Sequence, residues 1–269
     1  MSARVAPTAA TSAVPFVAWE RITARLKRDF EPGMHVTAIG PTGCGKTTVL
    51  FAVVELANYW TLVLGTKRND PLLEALIRRG YQRISSVKDI MWVDSTPLHQ
   101  RFLFWPRTGE LGARERVAFQ AAKMREALDF AERSTNWLVV ADELHYLTKH
   151  LRLDPELSYS YFQGRTQHVS ILGAAQRPVH VPLYALNQPG YFFIFGVSDR
   201  RDLERLAELN VRFPRELINR AVIELDYGRH ECLFVDVHGD RIARTVAPAR
   251  DAGPPRRREQ SQRSKVRIG

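Results

Sequence analysis

With 269 residues, 45% of them hydrophobic and 25% charged, the chain has the composition of a soluble globular protein and the length for one large α/β domain or at most two small ones. No apolar run approaches the ~20 residues that cross a bilayer, which excludes a membrane span, and with only Cys44 and Cys232 available a reducing compartment, the cytoplasm, is the simpler assignment. The net charge of +10 and an isoelectric point near 9.9 favour a polyanionic partner such as nucleic acid or an anionic membrane surface.

Residues 1–15, rich in Ala, Thr, Ser and Pro, lack the continuous apolar stretch of a signal peptide and are expected to have no fixed structure. From 16 to 28, FVAWERITARLKR sets Val17, Ile22 and Leu26 on one face and predicts a short amphipathic helix. Glu31-Pro32-Gly33 then turns the chain into a first strand, His35 to Ile39. That strand runs into Gly40, Pro41, Thr42, Gly43, Cys44, Gly45, Lys46, Thr47 and Thr48, and apolar residues at helical spacing continue to Tyr59. The glycines let the backbone curl so that several N–H groups face a phosphate chain, and the following helix adds its positive end. Lys46 is spaced to reach the β- and γ-phosphates and the Thr47 hydroxyl to ligate Mg2+, so strand, loop and helix together predict a nucleotide site.

Tyr59 to Thr66 reads as a second buried strand, and after Asp70-Pro71 a helix runs through LLEALIRR. TKRND, residues 66–70, is not the guanine-reading [NT]KxD pattern, because it has one residue too many and follows the second strand. A long helix over ARERVAFQAAKMREALDFAER precedes an apolar strand, Trp137 to Ala141, that ends in Asp142-Glu143. A carboxylate there, beside the phosphate loop, can hold Mg2+ through water, and the next can polarise a water toward the γ-phosphate. Asp142 is therefore assigned to the metal and Glu143 to the general base or water-orienting role. With a plausible strand between the two motifs, the pair looks like the branch of P-loop enzymes that carries an added strand and a catalytic glutamate. Small-molecule kinases usually lack that glutamate.

Residues 164–178 read GRTQHVSILGAAQRP, with a strand expected over Val169 to Ala175. This stretch resembles the FtsK–HerA superfamily of DNA-pumping ATPases, in which an Arg precedes a strand running into a pattern like ATQRP; here Ala175 stands where Thr is usual. The likeness covers most of residues 35–210, including YFFIFGVSDRRDLERLAEL, which itself predicts a strand at Tyr191 to Val197 and a capped helix after Ser198. The resemblance implies a RecA-like P-loop core of class α/β, a mainly parallel sheet flanked by helices, and ATP with Mg2+ as the ligands. It makes Gln176 a sensor whose amide hydrogen-bonds the γ-phosphate or attacking water, and Arg165 a residue that reaches a neighbouring subunit's site, where Arg177, Arg200 and Arg201 compete for the role.

The chain's small size is similar to that of virion genome-packaging ATPases, implying a ring-shaped homo-oligomer that passes double-stranded DNA, in the host cytoplasm or with the virion. A capsid vertex or another virion protein is the further partner implied. A related translocase of conjugation, prophage or DNA repair would carry the same catalytic residues, and a regulatory NTPase would hydrolyse ATP indifferently to DNA.

Residues 221–246 read as a run of short antiparallel strands, with a turn at His238-Gly239-Asp240. The lone histidines, His145 and His168 among them, lack paired metal-ligand spacing and read as surface or strand-end residues. From Arg250 the composition shifts to Pro, Arg, Ser and Gln, with seven basic against two acidic residues, half of the chain's net charge. The expected organisation is an unstructured start at 1–15, an ATPase domain at 16–249 and a basic tail at 250–269 that serves either as a phosphate-binding arm or as a solubilising end.

Overall fold

A computed structural model of the chain describes residues 14–249 except residues 58, 95, 98, 99 and 210. The readings of the first thirteen residues and of the basic tail lie outside the described residues. Helix α1 (Trp19–Asp29) buries Ile22 and Leu26 and carries Lys27 and Arg28 in its last turn, where cations suit the helix end. It starts three residues after Phe16, which instead bridges to Arg244 in the sheet. β1 (Val36–Ile39) is buried at all four positions, as a strand covered on both faces must be.

The phosphate loop leads into α2 (Lys46–Leu56), and β2 (Trp60–Leu64) follows. α3 (Pro71–Arg78) begins as its sequence dictates: Asp70 accepts from the Leu72 amide at 2.9 Å, and Pro71 takes the first helical position, where no N–H is needed. β3 (Gln82–Ile84), the ribbon β4 (Trp92–Val93) with β5 (Thr96–Pro97), and β6 (Arg101–Phe104) precede the long α4 (Ala113–Ser134). Then come β7 (Trp137–Ala141), α5 (Asp154–Gln167), β8 (Ser170–Ala175), the short α6 (Tyr184–Asn187) and β9 (Tyr191–Phe195). α7 (Arg200–Leu206), α8 (Arg215–Ile223) and a hairpin of β10 (Glu231–Asp236) and β11 (Arg241–Val246) complete the described chain.

Nine strands form one sheet in the order β11-β10-β9-β1-β8-β7-β2-β6-β3. Every neighbouring pair from β9 to β3 is parallel, and β10 and β11 add antiparallel at one side. Successive residues of a strand feed different cores: Trp137, Val139 and Ala141 join one, Leu138 and Val140 the other. Helices α1, α2 and α3 cover the second face, whereas α4 to α8 contribute to the first. No helix among the described residues is long and apolar enough to cross a membrane.

The sheet completes one reading and corrects another. The strand lying between β1 and β7 is β8, which follows both motifs in the chain, while β2, the strand between them in sequence, pairs on the far side of β7. Parallel connections cross over the sheet, so chain order does not give strand order. Residues 221–246 are not all strand. Residues 221–223 close α8, because Ile218, Ala221 and Val222 recur at helical spacing and are buried as one stripe, and a single hairpin remains.

Candidate nucleotide site

The phosphate loop sits where β1 and β8 end. The Gly40 amide donates to the Ala175 carbonyl at 3.1 Å, which ties the loop to the last residue of β8. Gly40 has φ 152°, and a Cβ there would stand 2.5 Å from the Phe195 Cβ, so the position admits no side chain. Gly45, at φ 115°, takes the left-handed turn that starts α2 and frees the first amides of that helix to face the loop. The Lys46 ammonium donates to the Pro41 carbonyl at 2.8 Å across the loop and lies 4.0 Å from the buried Cys44 sulfur. Burial lowers its pKa, against the pull of Cys44 and Asp142.

Asp142 and Glu143 follow β7 directly. The Thr47 hydroxyl lies 2.8 and 3.0 Å from the two Asp142 carboxylate oxygens, so the two motifs touch. Burial pushes the Asp142 carboxyl up to about 6, opposed by the Thr47 hydrogen bond and the charges of Lys46 and Lys67. A hydroxyl and a partly buried carboxylate at this separation are the hard oxygen donors that Mg2+ takes, so these residues fit the ion.

Glu143 is held by groups that the motifs alone do not reveal. Its Oε1 lies 2.7 Å from the Lys67 ammonium, and its Oε2 accepts from the Thr66 hydroxyl at 3.2 Å. Both belong to the TKRND stretch, discounted as a guanine reader. A hydroxyl and an ammonium just beyond a buried strand were the signal available.

Gln176 is exposed, one residue past Ala175, between the phosphate loop and the Asp142-Glu143 pair. Arg165 is exposed in the last turn of α5 and makes no ion pair among the described residues. Its backbone lies against Gly33, whose amide donates to the Ser170 hydroxyl, at the edge where β1 and β8 begin. The six residues of β8 rise about 3.3 Å each, which puts Arg165 roughly 20 Å from the phosphate loop of its own chain. Arg177 is committed elsewhere, with Asp202 at 2.9 Å and Asp199 at 3.1 Å fixing it to the start of α7.

His145 is not a lone surface residue. Its ring stacks on His180 with centroids 4.2 Å apart, joining the turn after Glu143 to the turn after Gln176. His168 closes α5 in the left-handed conformation.

The turn before β10 and the residues after β11 supply the remaining wall. The Tyr227 hydroxyl donates to the Thr42 carbonyl at 2.7 Å, and the His230 ring is 3.2 Å from the Cys44 carbonyl oxygen. A cavity of about 730 Å3 opens between the loop and Thr48 on one side and Leu72, Arg229, His230 and Pro248 on the other. Pockets for small ligands span roughly 300–1,000 Å3.

No known family's sequence model matches the chain, and no curated protein matches it by sequence. Among solved structures it is similar to B204, the DNA-packaging ATPase from Sulfolobus Turreted Icosahedral Virus, at 14% identity and a TM-score of 0.56 over 82% of this chain and 100% of that one. The genome packaging NTPase B204 from Sulfolobus turreted icosahedral virus 2, solved in complex with AMPPCP, gives 13% identity and a TM-score of 0.57 over 82% and 100%. VirB4 of Thermoanaerobacter pseudethanolicus gives 12% and 0.54 over 80% of this chain and 89% of that one. Likeness at this identity is likeness of fold, and the chain has the fold of these packaging NTPases and of VirB4.

Proposed function

We propose that the chain is an ATP-hydrolysing motor that moves double-stranded DNA as a ring-shaped homo-oligomer, with packaging of a viral genome into a capsid as its task. The observation that carries this reading is the meeting of Thr47, Asp142 and Glu143 at the end of β7, with Gln176 one strand away. The loop amides and Lys46 bind the phosphates, and the cavity beside Arg229 and His230 receives the nucleoside. Thr47 and Asp142 would hold Mg2+, whose chemistry is to neutralise charge on the β- and γ-phosphates. Glu143 orients the attacking water and draws its proton as the water oxygen bonds to the γ-phosphorus and the bond to the ADP oxygen breaks.

Gln176, at the strand end, hydrogen-bonds the γ-phosphate or that water and reports whether phosphate is present. Arg165 cannot reach its own chain's loop, which suits a guanidinium delivered to a neighbouring subunit. Residues 16–249 then form the ATPase domain, and residues 250–269 a phosphate-binding arm. The likeness to packaging NTPases and the charge of +10 support DNA as the substrate. A translocase of conjugation, prophage or repair would use the same residues. The test is the ATPase rate with and without long double-stranded DNA, beside the mass of the assembly with ATP. The motor reading expects stimulation and a multimer; turnover indifferent to DNA would replace it with a regulatory NTPase.

A further inference from the structure

The segment after β2 is built to hold Glu143 from both sides. Its backbone is anchored twice: the Trp105 indole N–H donates to the Lys67 carbonyl at 2.7 Å, and the Gln120 amide donates to the Thr66 carbonyl at 2.7 Å. Gln120 is buried on α4 and accepts in turn from the Tyr146 hydroxyl at 2.8 Å, three residues past Glu143. A buried amide placed between two loops fixes their separation, because misplacing either would leave it unsatisfied. The Lys67 side chain, by contrast, is half-exposed, with Asp70 at 3.9 Å as a second carboxylate. Its ammonium lies 2.7 Å from Glu143, the residue after Asp142, and Asp142 in turn lies 2.8 Å from the Thr47 hydroxyl of the phosphate loop, which places Lys67 beside the phosphate-binding centre.

We infer that Lys67 is a positioning residue that couples the γ-phosphate to Glu143: with Thr66 it holds the carboxylate away from water, and a nucleoside triphosphate draws the ammonium off and releases it. A carboxylate with both oxygens engaged by donors is poorly placed to accept a proton from water. The γ-phosphate adds negative charge beside the Glu143 carboxylate that Lys67 pairs with, and a diphosphate lacks it. The inference rests on the reading of Glu143 as the water-orienting group, and it makes Lys67, beside Gln176, a second part of the site that tells ATP from ADP.

The test measures binding and turnover separately in the full chain. Lys67→Met should weaken ATPγS about tenfold, the worth of one charge-assisted contact, while ADP affinity stays within about twofold. Lys67→Arg, which keeps the charge, should restore most of the ATPγS affinity. Thr66→Val, which loosens the hold on Glu143 without removing charge, should leave both affinities in place and raise DNA-free turnover by about two- to threefold. Equal loss of ATPγS and ADP in Lys67→Met, no loss of either, or lower turnover in Thr66→Val would overturn the inference. Failure of the underlying reading shows elsewhere, as wild-type turnover in Glu143→Gln, and leaves the two binding measurements interpretable by themselves.

Discussion

Glu143 and Lys46 lie in one site and carry different loads, so their substitutions should separate. A general base contributes about 100- to 10,000-fold to turnover, so Glu143→Gln should bind ATP and lose at least two orders of magnitude in kcat. A charge-assisted hydrogen bond is worth about 1.5–3 kcal/mol, so Lys46→Ala should weaken ATP binding by roughly 10- to 100-fold. Nucleotide titration beside single-turnover hydrolysis distinguishes the two, and an unchanged rate in Glu143→Gln would remove the base assignment. These residues were legible in the sequence because their chemistry needs fixed spacing inside one short segment, as Gly40 to Thr48 and Asp142-Glu143 provide. Lys67 and Arg229 were not, since their places come from contacts across the fold: Lys67 meets a carboxylate 76 positions away, and Arg229 lines the nucleotide cavity from the far end of the chain.

Among the elements, β1, β8 and α5 are locked together by one histidine. His35 Nδ1 accepts from the Ile171 amide at 2.9 Å, and its Nε2–H donates to the Tyr161 carbonyl at 3.0 Å, so the neutral ring satisfies both neighbours. Burial lowers its pKa from 6.5 to about 4, aided by the Arg165 charge and opposed by the Tyr161 hydrogen bond. Between those two values the unfolded chain takes up a proton that the folded chain refuses, so stability falls as the pH drops from 6.5 to about 4, by about 3 kcal/mol in all. His35→Gln keeps a donor and an acceptor without titrating. Urea unfolding at pH 7 and pH 5 should show a larger loss for the wild type, and equal losses would discount the histidine. The variant comparison also separates this effect from Asp142, whose raised pKa acts in the opposite sense. The strands carrying this lock were readable because buried parallel strands are continuous apolar runs. β3 is only three residues long, too short for periodicity to register, and its place and that of β6 beside β2 are set by the sheet.

At the scale of the whole molecule, the candidate nucleotide site and Arg165 lie at opposite ends of the same parallel strands, and in the proposed ring one chain's arginine serves the next chain's phosphates. Mixing Arg165→Ala chains with Glu143→Gln chains should therefore recover part of the activity neither has alone, because one interface type pairs an intact arginine with an intact glutamate. No recovery in rings shown by mass to be mixed would assign Arg165 a structural role. The substrate of such a ring is a separate question, and charge addresses it. Phosphate contacts release counterions, so the logarithm of DNA affinity falls linearly with the logarithm of salt, by about 0.9 per neutralised phosphate. Deleting residues 250–269 removes half of the net charge and leaves every described element in place. The shortened chain should hydrolyse ATP at its DNA-free rate yet bind DNA more weakly and with a shallower salt slope, the change in slope divided by about 0.9 giving the number of phosphates that the tail neutralises. Affinity that persists at the shallower slope belongs to basic residues of the domain itself, whereas an unchanged slope would take the tail out of the DNA interface and leave it as a solubilising end or a docking segment for a protein partner.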